Sequence, residues 1–183
     1  MFKIIYISIN SWVDSDVVLT NPNIKLEVFV PDDNDIHLLF SEDHNGLNAG
    51  ILILRVHSWT LNFLMRVKSF QYFNKGDDLF FVDQTAINNV LVADREERHY
   101  MIVPNKWFNI WYYNYKRSPG DFLFHFAGRG YKKTKDSAIL RKEVYKSPKL
   151  YGGVTNKELR KKVLEYYEEN KDVNKRKKLS VQP

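Results

Sequence analysis

The stretch "DIHLLFSEDHNGLNAGILILRVHSWTLNFL", residues 35–64, decides the fold. Its first segment, "DIHLLFSE", predicts a strand, and "DHNGLNAG" is rich in turn residues. "ILILRV" predicts a buried strand, and Ser58 has the chemistry of an N-cap for a helix from Trp59 to Phe70. Strands that alternate with helices along the chain indicate an α/β fold.

The segments on either side continue this alternation. "FKIIYISI" predicts a buried parallel strand near the start, and "DQTAINNVLV" predicts a helix that begins near Asp83. "RHYMIVPNKWFNIW" and "FLFHFAG" predict two further strands. Beyond Gly128 we expect a basic helix and then an amphipathic helix, for which Thr155 and Glu158 supply a capping box. The last residues, "KDVNKRKKLSVQP", predict a disordered basic tail.

Composition limits the class of protein. The 183 residues fit one domain or a large part of one, and 44% of them are hydrophobic. The absence of cysteine excludes disulfides and thiolate zinc sites. No apolar run approaches the roughly 18 residues of a membrane span.

The net positive charge of the chain comes from its end. Residues 1–128 carry 11 basic and 15 acidic side chains, whereas residues 129–183 carry 17 and 7. The body is therefore not a nucleic-acid binder. The run "NKRKK" predicts a solvated end, and its alternative interpretation is a module that binds anionic membranes or nucleic acid.

Two aspartates, Asp14 and Asp16, interrupt an otherwise apolar run. Side chains at positions i and i+2 of a strand point to the same side, so both carboxylates would lie together at a strand end. Two hard oxygen ligands suit Mg²⁺ or Mn²⁺. The alternative, which the two aspartates by themselves favour, is a plain turn after a strand, where aspartate is common.

Several other residues have two interpretations. His125, in "FLFHFAG", is either a core histidine or a nitrogen ligand that would favour Mn²⁺ over Mg²⁺. Asn48 and Gly50 belong either to a hairpin-like turn or to a sugar site. Asp83 and Gln84 either cap a helix or contact a sugar.

Four ordered blocks together resemble a known family: "WVDSDVVLTNPNIKLEVFVP", residues 35–64, "VDQTAINNVL" and "GDFLFHFAG". The pattern is similar to the fungal galactosyl- and mannosyltransferases of glycosyltransferase family thirty-four, from about Trp12 to Gly128. The resemblance implies a GT-A fold, which is a Rossmann-like nucleotide-diphospho-sugar transferase domain. It also implies a Golgi membrane protein, with its catalytic part on the lumenal side.

The resemblance implies a retaining hexosyltransferase that moves galactose or mannose from UDP-galactose or GDP-mannose to a glycan acceptor. Asp14, Asp16 and His125 would bind Mn²⁺, and the two aspartates would also contact the nucleotide. By the same resemblance, the donor-binding residues would be Asn48, Ala49, Gly50 and Gly128. The residues expected near the reacting carbon would be Asp83 and Gln84.

The chain departs from the family pattern at its start. A GT-A domain normally places a strand, a helix and further strands before its paired aspartates, whereas about a dozen residues precede Asp14. We expect a partial, N-terminally truncated GT-A domain over residues 1–150, with the amphipathic helix and basic disordered tail over 151–183. The alternative hypothesis is a non-catalytic glycosyltransferase remnant that acts as an interaction or assembly subunit with other glycosyltransferase subunits.

Overall fold

The computed structural model describes residues 8–74, 82–128 and 130–182. Its strands are β1 (Ile9–Val13), β2 (Val17–Leu19), β3 (Leu38–Asp43), β4 (Gly46–Arg55), β5 (Tyr100–Ile102), β6 (Ile110–Trp111) and β7 (Leu123–His125). Its α-helices are α1 (Ser58–Phe73), α2 (Val82–Ala93), α3 (Asn105–Phe108), α4 (Tyr131–Lys146) and α5 (Asn156–Glu169). Most of the strand predicted over residues 2–9 lies outside the described residues.

The chain folds into two compact units, each assembled from separate stretches. Unit 1 comprises Met1–Trp12, Asp33–Val103 and Val173–Pro183. Unit 2 comprises Val13–Asp32 and Pro104–Asp172. The predicted division into residues 1–150 and 151–183 stays a prediction; α5 belongs to unit 2, and the last residues belong to unit 1.

Unit 1 contains a four-stranded mixed sheet with the order β1-β4-β3-β5. β3 and β4 form an antiparallel hairpin, and β3 pairs with β5 in parallel. The turn is shorter than predicted, because residues Asn48–Gly50 already belong to β4. The eight central residues of β4 are all buried, so both of its faces are covered, which explains its continuous apolar run.

α1 begins one residue earlier than predicted and has a different cap. Ser58 is the first residue of the helix, and the N-cap is His57, whose ring Nδ1 accepts a hydrogen bond from the Trp59 backbone N–H at 3.1 Å. The prediction of Ser58 as the cap was therefore wrong. An imidazole nitrogen can satisfy an orphan helical N–H as a hydroxyl does, and local sequence alone favoured the serine.

The C-terminal segment of the described chain forms hydrogen bonds within unit 1. The sequence had predicted a disordered tail here. The Asn88 side chain donates a hydrogen bond to the Ser180 carbonyl at 2.7 Å, and the Gln182 N–H donates to the Asn89 side chain at 2.8 Å. The Gln182 side chain is 4% exposed. The polar composition indicated disorder, but these residues find buried polar partners on α2.

The strand predicted over "RHYMIVPNKWFNIW" is divided into three elements. β5 ends before Pro104, the one-turn helix α3 follows, and β6 begins at Ile110. Proline has no backbone N–H, so it cannot donate a hydrogen bond to a sheet. The apolar residues of this stretch therefore serve two different sheets.

Unit 2 contains a three-stranded sheet with the order β2-β7-β6. β2 and β7 are antiparallel, with Val17 opposite His125, and β6 and β7 are parallel. Phe29 is fully buried, its ring lies against Phe108 and Phe122, and its carbonyl accepts a hydrogen bond from the Tyr167 hydroxyl of α5. These contacts join α5 to the core of unit 2.

The capping box predicted for α5 is confirmed. The Glu158 N–H donates to the Thr155 hydroxyl oxygen at 3.2 Å, and the Thr155 N–H donates to the Glu158 carboxylate at 3.0 Å. The hydrogen bonds from Thr155 hold the pKa of Glu158 below its usual value. The helix therefore begins where the sequence pattern placed it.

Three histidines of unit 1 stack near the start of α1. The ring centroids of His37 and His57 are 4.1 Å apart, and the His37 ring also lies 5.3 Å from those of His99 and Trp59. Burial and the neighbouring His57 and His99 lower the pKa of His37 to about 4. His37 therefore folds in its neutral form.

We expect this cluster to make stability depend on pH. The folded pKa of His37 is below its ordinary value of 6.5, so the unfolded chain binds one more proton between pH 6.5 and 4. The free energy of unfolding should therefore decrease over that range, by up to about 3 kcal/mol. Denaturant unfolding at pH 7 and pH 4.5 measures this decrease, which His37→Phe should reduce. His44→Gln, at an exposed position, is the control, and equal decreases in wild type and His37→Phe would contradict the prediction.

Candidate metal centre

Asp14 and Asp16 lie in the turn between β1 and β2. β1 ends at Val13, and the Val17 N–H donates a hydrogen bond to the Asp14 carbonyl at 3.1 Å. The expectation that a strand would orient both carboxylates was therefore wrong. A tight turn brings them together instead.

The pairing of β2 with β7 places His125 beside this turn. Val17, the first residue of β2, is opposite His125, the last residue of β7. The Nε2 atom of His125 lies 3.4 Å from Asp16 Oδ1 and 3.8 Å from Asp14 Oδ2. Residues more than a hundred positions apart in the sequence thus converge within unit 2.

These three side chains form a group that can hold a metal ion. One ligand atom from each residue lies within 4.8 Å of the other two. An ion with bonds of about 2.1 Å separates adjacent ligand atoms by roughly 3 Å. Small side-chain movements would therefore bring all three atoms into one coordination shell.

A contact at Nδ1, the second ring nitrogen of His125, leaves Nε2 available as a metal ligand. Its Nδ1 lies 2.9 Å from the side-chain oxygen of buried Asn109, which can only accept a hydrogen bond. The proton therefore resides on Nδ1, and the Nε2 lone pair faces the aspartates. Burial lowers the pKa of His125, against the opposing effect of Asp16 and Asp14. The neutral imidazole that a metal requires is thus the favoured form.

One buried carboxylate oxygen of this group has no hydrogen-bond partner among the described residues. Asp16 Oδ1 is buried and makes no hydrogen bond to any residue in the described part of the chain. Its other oxygen, Oδ2, accepts a hydrogen bond from the Lys133 ammonium at 2.7 Å. An unsatisfied buried carboxylate oxygen is unfavourable, and a cation beside it would remove the penalty. The residues present therefore fit a divalent ion.

Gly128 follows β7 with a backbone φ of +110°, a conformation that favours glycine. Its chain neighbours aside, a Cβ added at this position would meet no atom of the described residues within 4 Å. Gly130, with a φ of +117°, is the N-cap of α4. The backbone at Gly128 is therefore open to close approach, and the predicted contact of Gly128 with the diphosphate stays a prediction.

The predicted sugar-binding residues lie in unit 1, where most of them support the hairpin. The Asn48 amide donates to Asp43 at 2.9 Å and accepts from the Gly50 N–H at 3.1 Å. The Ala49 N–H donates to the Gln84 side-chain oxygen at 3.1 Å. These contacts give the amides a structural role, and their part in sugar binding stays a prediction.

Asp83 is exposed in the first turn of α2, next to buried Gln84. Its carboxylate accepts a hydrogen bond from the Gln84 N–H at 2.9 Å. The helix already begins at Val82, so Asp83 stands inside it and is not the N-cap. Its predicted position near the reacting carbon stays a prediction.

The sequence did not indicate three residues that support the acidic turn. Asn109 orients His125, Lys133 pairs with Asp16, and Arg141 donates to the Ser15 carbonyl at 2.7 Å. The sequence predicted α4 only as a basic helix, so the contacts of Lys133 and Arg141 were not foreseen. The third, between Asn109 and His125, joins residues 16 positions apart, and no pattern in the sequence indicated it.

The fold and this group define a class of protein: an α/β protein of the GT-A type with a site that can hold a divalent ion. Its fold matches the "Crystal structure of a glycosyltransferase involved in the glycosylation of the major capsid of PBCV-1" with a TM-score of 0.56 and 20% identity. The match covers 73% of the present chain and 66% of the matched glycosyltransferase chain. At this identity the likeness shows the fold alone.

The chain belongs to the galactosyl transferase GMA12/MNN10 family, whose model matches residues 28–136. This is a family of glycosyltransferases, and the predicted family and fold class are both confirmed. His125 lies within the matched segment, whereas Asp14 and Asp16 precede it. No match to a curated protein reached significance. Within the described ranges, no helix combines the length and apolar character that crossing a membrane requires.

Proposed function

We propose that this chain is part of a retaining, Mn²⁺-dependent hexosyltransferase. The observation that carries the proposal is the convergence of Asp14, Asp16 and His125 in a member of a glycosyltransferase family. A site with one nitrogen and two oxygen ligands favours Mn²⁺ over Mg²⁺. The donor is a nucleotide sugar, UDP-galactose or GDP-mannose, and the acceptor is a glycan.

The residues of unit 2 hold the metal and the diphosphate in this proposal. When bound, the ion supplies Lewis-acid stabilisation of the charge that develops on the departing diphosphate. Asn109 keeps the His125 lone pair directed at the site, and the turn holds both carboxylates. The open backbone at Gly128 allows a phosphate to approach closely.

The sugar contacts in this proposal rest on the family resemblance. Asn48, Ala49 and Gly50 line the donor sugar, and the N–H donors of the Gln84 amide bind a sugar hydroxyl. The exposed carboxylate of Asp83 lies near the reacting carbon of the donor or acceptor. We propose no covalent intermediate on it. The site of action is the lumenal side of the Golgi membrane, a proposal that rests on the family resemblance.

Nucleotide binding tests the metal role. We expect UDP or GDP to bind the full chain in calorimetry when Mn²⁺ is present and to show no measurable binding in EDTA. Asp14→Asn/Asp16→Asn should remove the metal-dependent binding, because an amide is a far weaker ligand than a carboxylate. Asp35→Asn, an exposed carboxylate of unit 1 that pairs with Arg98, is the control. Equal binding by all three proteins, with or without Mn²⁺, would refute the proposal.

A second candidate function is a non-catalytic subunit that binds other glycosyltransferase chains. The observation that favours it is a set of exposed apolar side chains on α1. Leu61, Met65 and Tyr72 are 67%, 60% and 68% exposed, and their spacing places them on one face of the helix. Transfer from a nucleotide sugar distinguishes the two candidates: the enzyme should turn the donor over with Mn²⁺, and the subunit should not.

A further inference from the structure

α4 directs two cations at the turn that carries the aspartates. Lys133 Nζ lies 2.7 Å from Asp16 Oδ2, and Arg141 donates to the backbone carbonyl of Ser15. The two residues are eight positions apart, so they lie on the same face of the helix. Their partners differ: Arg141 binds the backbone, whereas Lys133 binds a carboxylate of the candidate metal centre.

The pair between Lys133 and Asp16 is poorly accessible to solvent. The side chains of Lys133 and Asp16 are 30% and 17% exposed. Charges in such a setting interact more strongly than charges in bulk water. Lys133 therefore places a positive charge beside the two aspartates. A divalent ion bound there would do the same.

We propose that Lys133 is a tethered cation that competes with the divalent ion for Asp16 and lowers the affinity of the site for the metal. This inference rests on the proposed metal role of Asp14, Asp16 and His125. An ion bound at Asp16 Oδ1 shares one carboxylate with the Lys133 ammonium. Their mutual repulsion weakens metal binding, and Lys133 must shift or be shielded for the ion to bind tightly.

The opposite role for Lys133 is that of an anchor that holds the Asp16 carboxylate in place for the metal. Loss of such an outer contact weakens metal binding, typically 10- to 100-fold. Other bonds already fix the turn, however. The Phe126 N–H donates to the Asp16 carbonyl at 3.2 Å, and Arg141 holds Ser15. These bonds hold the backbone of the turn without Lys133. We therefore expect the repulsion between the two cations to outweigh the loss of this contact to the carboxylate.

Titration of the full chain with Mn²⁺ alone, followed by the electron paramagnetic resonance signal of the free ion, tests this inference. Lys133→Gln should bind Mn²⁺ about tenfold more tightly than wild type, because a nearby positive charge is lost. Lys133→Arg keeps the charge and should resemble wild type. The matched control is Lys132→Gln, which removes an equal charge from the same helix at a residue that lies over the Tyr113 ring. Lys133→Met serves as a second variant if the glutamine protein does not fold.

Thermal unfolding gives an independent readout. Lys133→Gln should melt at a lower temperature than wild type in EDTA, because Asp16 loses its counter-ion, and it should gain more from added Mn²⁺. If Lys133→Gln bound Mn²⁺ no more tightly than wild type, while wild type still bound it through Asp14 and Asp16, the proposed competition would be wrong. The proposed metal centre would stand. Equal Mn²⁺ binding by wild type and Asp14→Asn/Asp16→Asn would instead show that the proposed metal centre is wrong.

Discussion

Replacing His125 with glutamine should lower the affinity for Mn²⁺ by at least about 100-fold, more than the loss of an outer contact produces. His125 supplies the nitrogen ligand of the group, and its ring is 4% exposed with a fixed orientation. Glutamine is similar in size and can still reach a hydrogen-bond partner, but its amide is a poor ligand for this ion. The loss should therefore appear in the metal affinity more than in the fold.

Titration of the free Mn²⁺ signal measures this loss, and circular dichroism checks that the variant is folded. Asn109→Ala should give a smaller loss of about 10- to 100-fold, since it frees the ring without removing the ligand. His44→Gln makes the same chemical change at an exposed position and should bind Mn²⁺ as wild type does. A His125→Gln protein within threefold of wild type would show that the imidazole is not a ligand.

Deleting residues 173–183 should destabilise unit 1 by about 2–4 kcal/mol, from several lost hydrogen bonds at about 1 kcal/mol each. The deletion removes one of the two acceptors of the fully buried Asn88 amide, the Ser180 carbonyl, and it removes the buried Gln182. It also removes the ion pair of Lys177 with Glu42. Buried polar groups that lose their partners are the main source of the destabilisation.

Thermal unfolding of the truncated chain measures the effect, which should lower the melting temperature by about 5–15 °C. Asn88→Ala should reproduce part of the decrease. Val181→Ala, at a side chain that is 69% exposed, should leave the melting temperature unchanged. We expect Mn²⁺ binding below the melting range to be retained, because Asp14, Asp16 and His125 belong to unit 2. An unchanged melting temperature would mean that the segment adds no stability.

The helices were the most predictable part of the fold. Periodicity and cap chemistry located α1, α2 and α5 to within a few residues, because such signals depend on neighbouring residues. The order of the strands was not predictable, since pairings such as β2 with β7 join residues more than a hundred positions apart. The N-cap at His57 and the bonded C-terminal segment also depend on tertiary contacts that composition does not reveal.

The sequence pointed to the three residues that converge at the candidate metal centre but not to the residues that support them. Their role as metal ligands stays a prediction. Acidic and imidazole side chains have a recognisable chemistry, so Asp14, Asp16 and His125 stood out. The contact of Lys133 with Asp16 joins two residues that are remote in sequence, and a basic helix looks alike whether it is solvated or paired. The role of an amide such as Asn48 is also hard to predict from sequence. The same group can bind a sugar hydroxyl or, as here, accept a hydrogen bond from a backbone N–H.

An anomalous-difference map at the manganese absorption edge, from crystals of the full chain grown with MnCl₂ and UDP, tests the metal centre most directly. We predict one strong peak at bonding distance, about 2.0–2.4 Å, from Asp16 Oδ1 and His125 Nε2, with a carboxylate oxygen of Asp14 in the same shell. A map with manganese bound elsewhere, or with His125 turned away from both aspartates, would contradict the account.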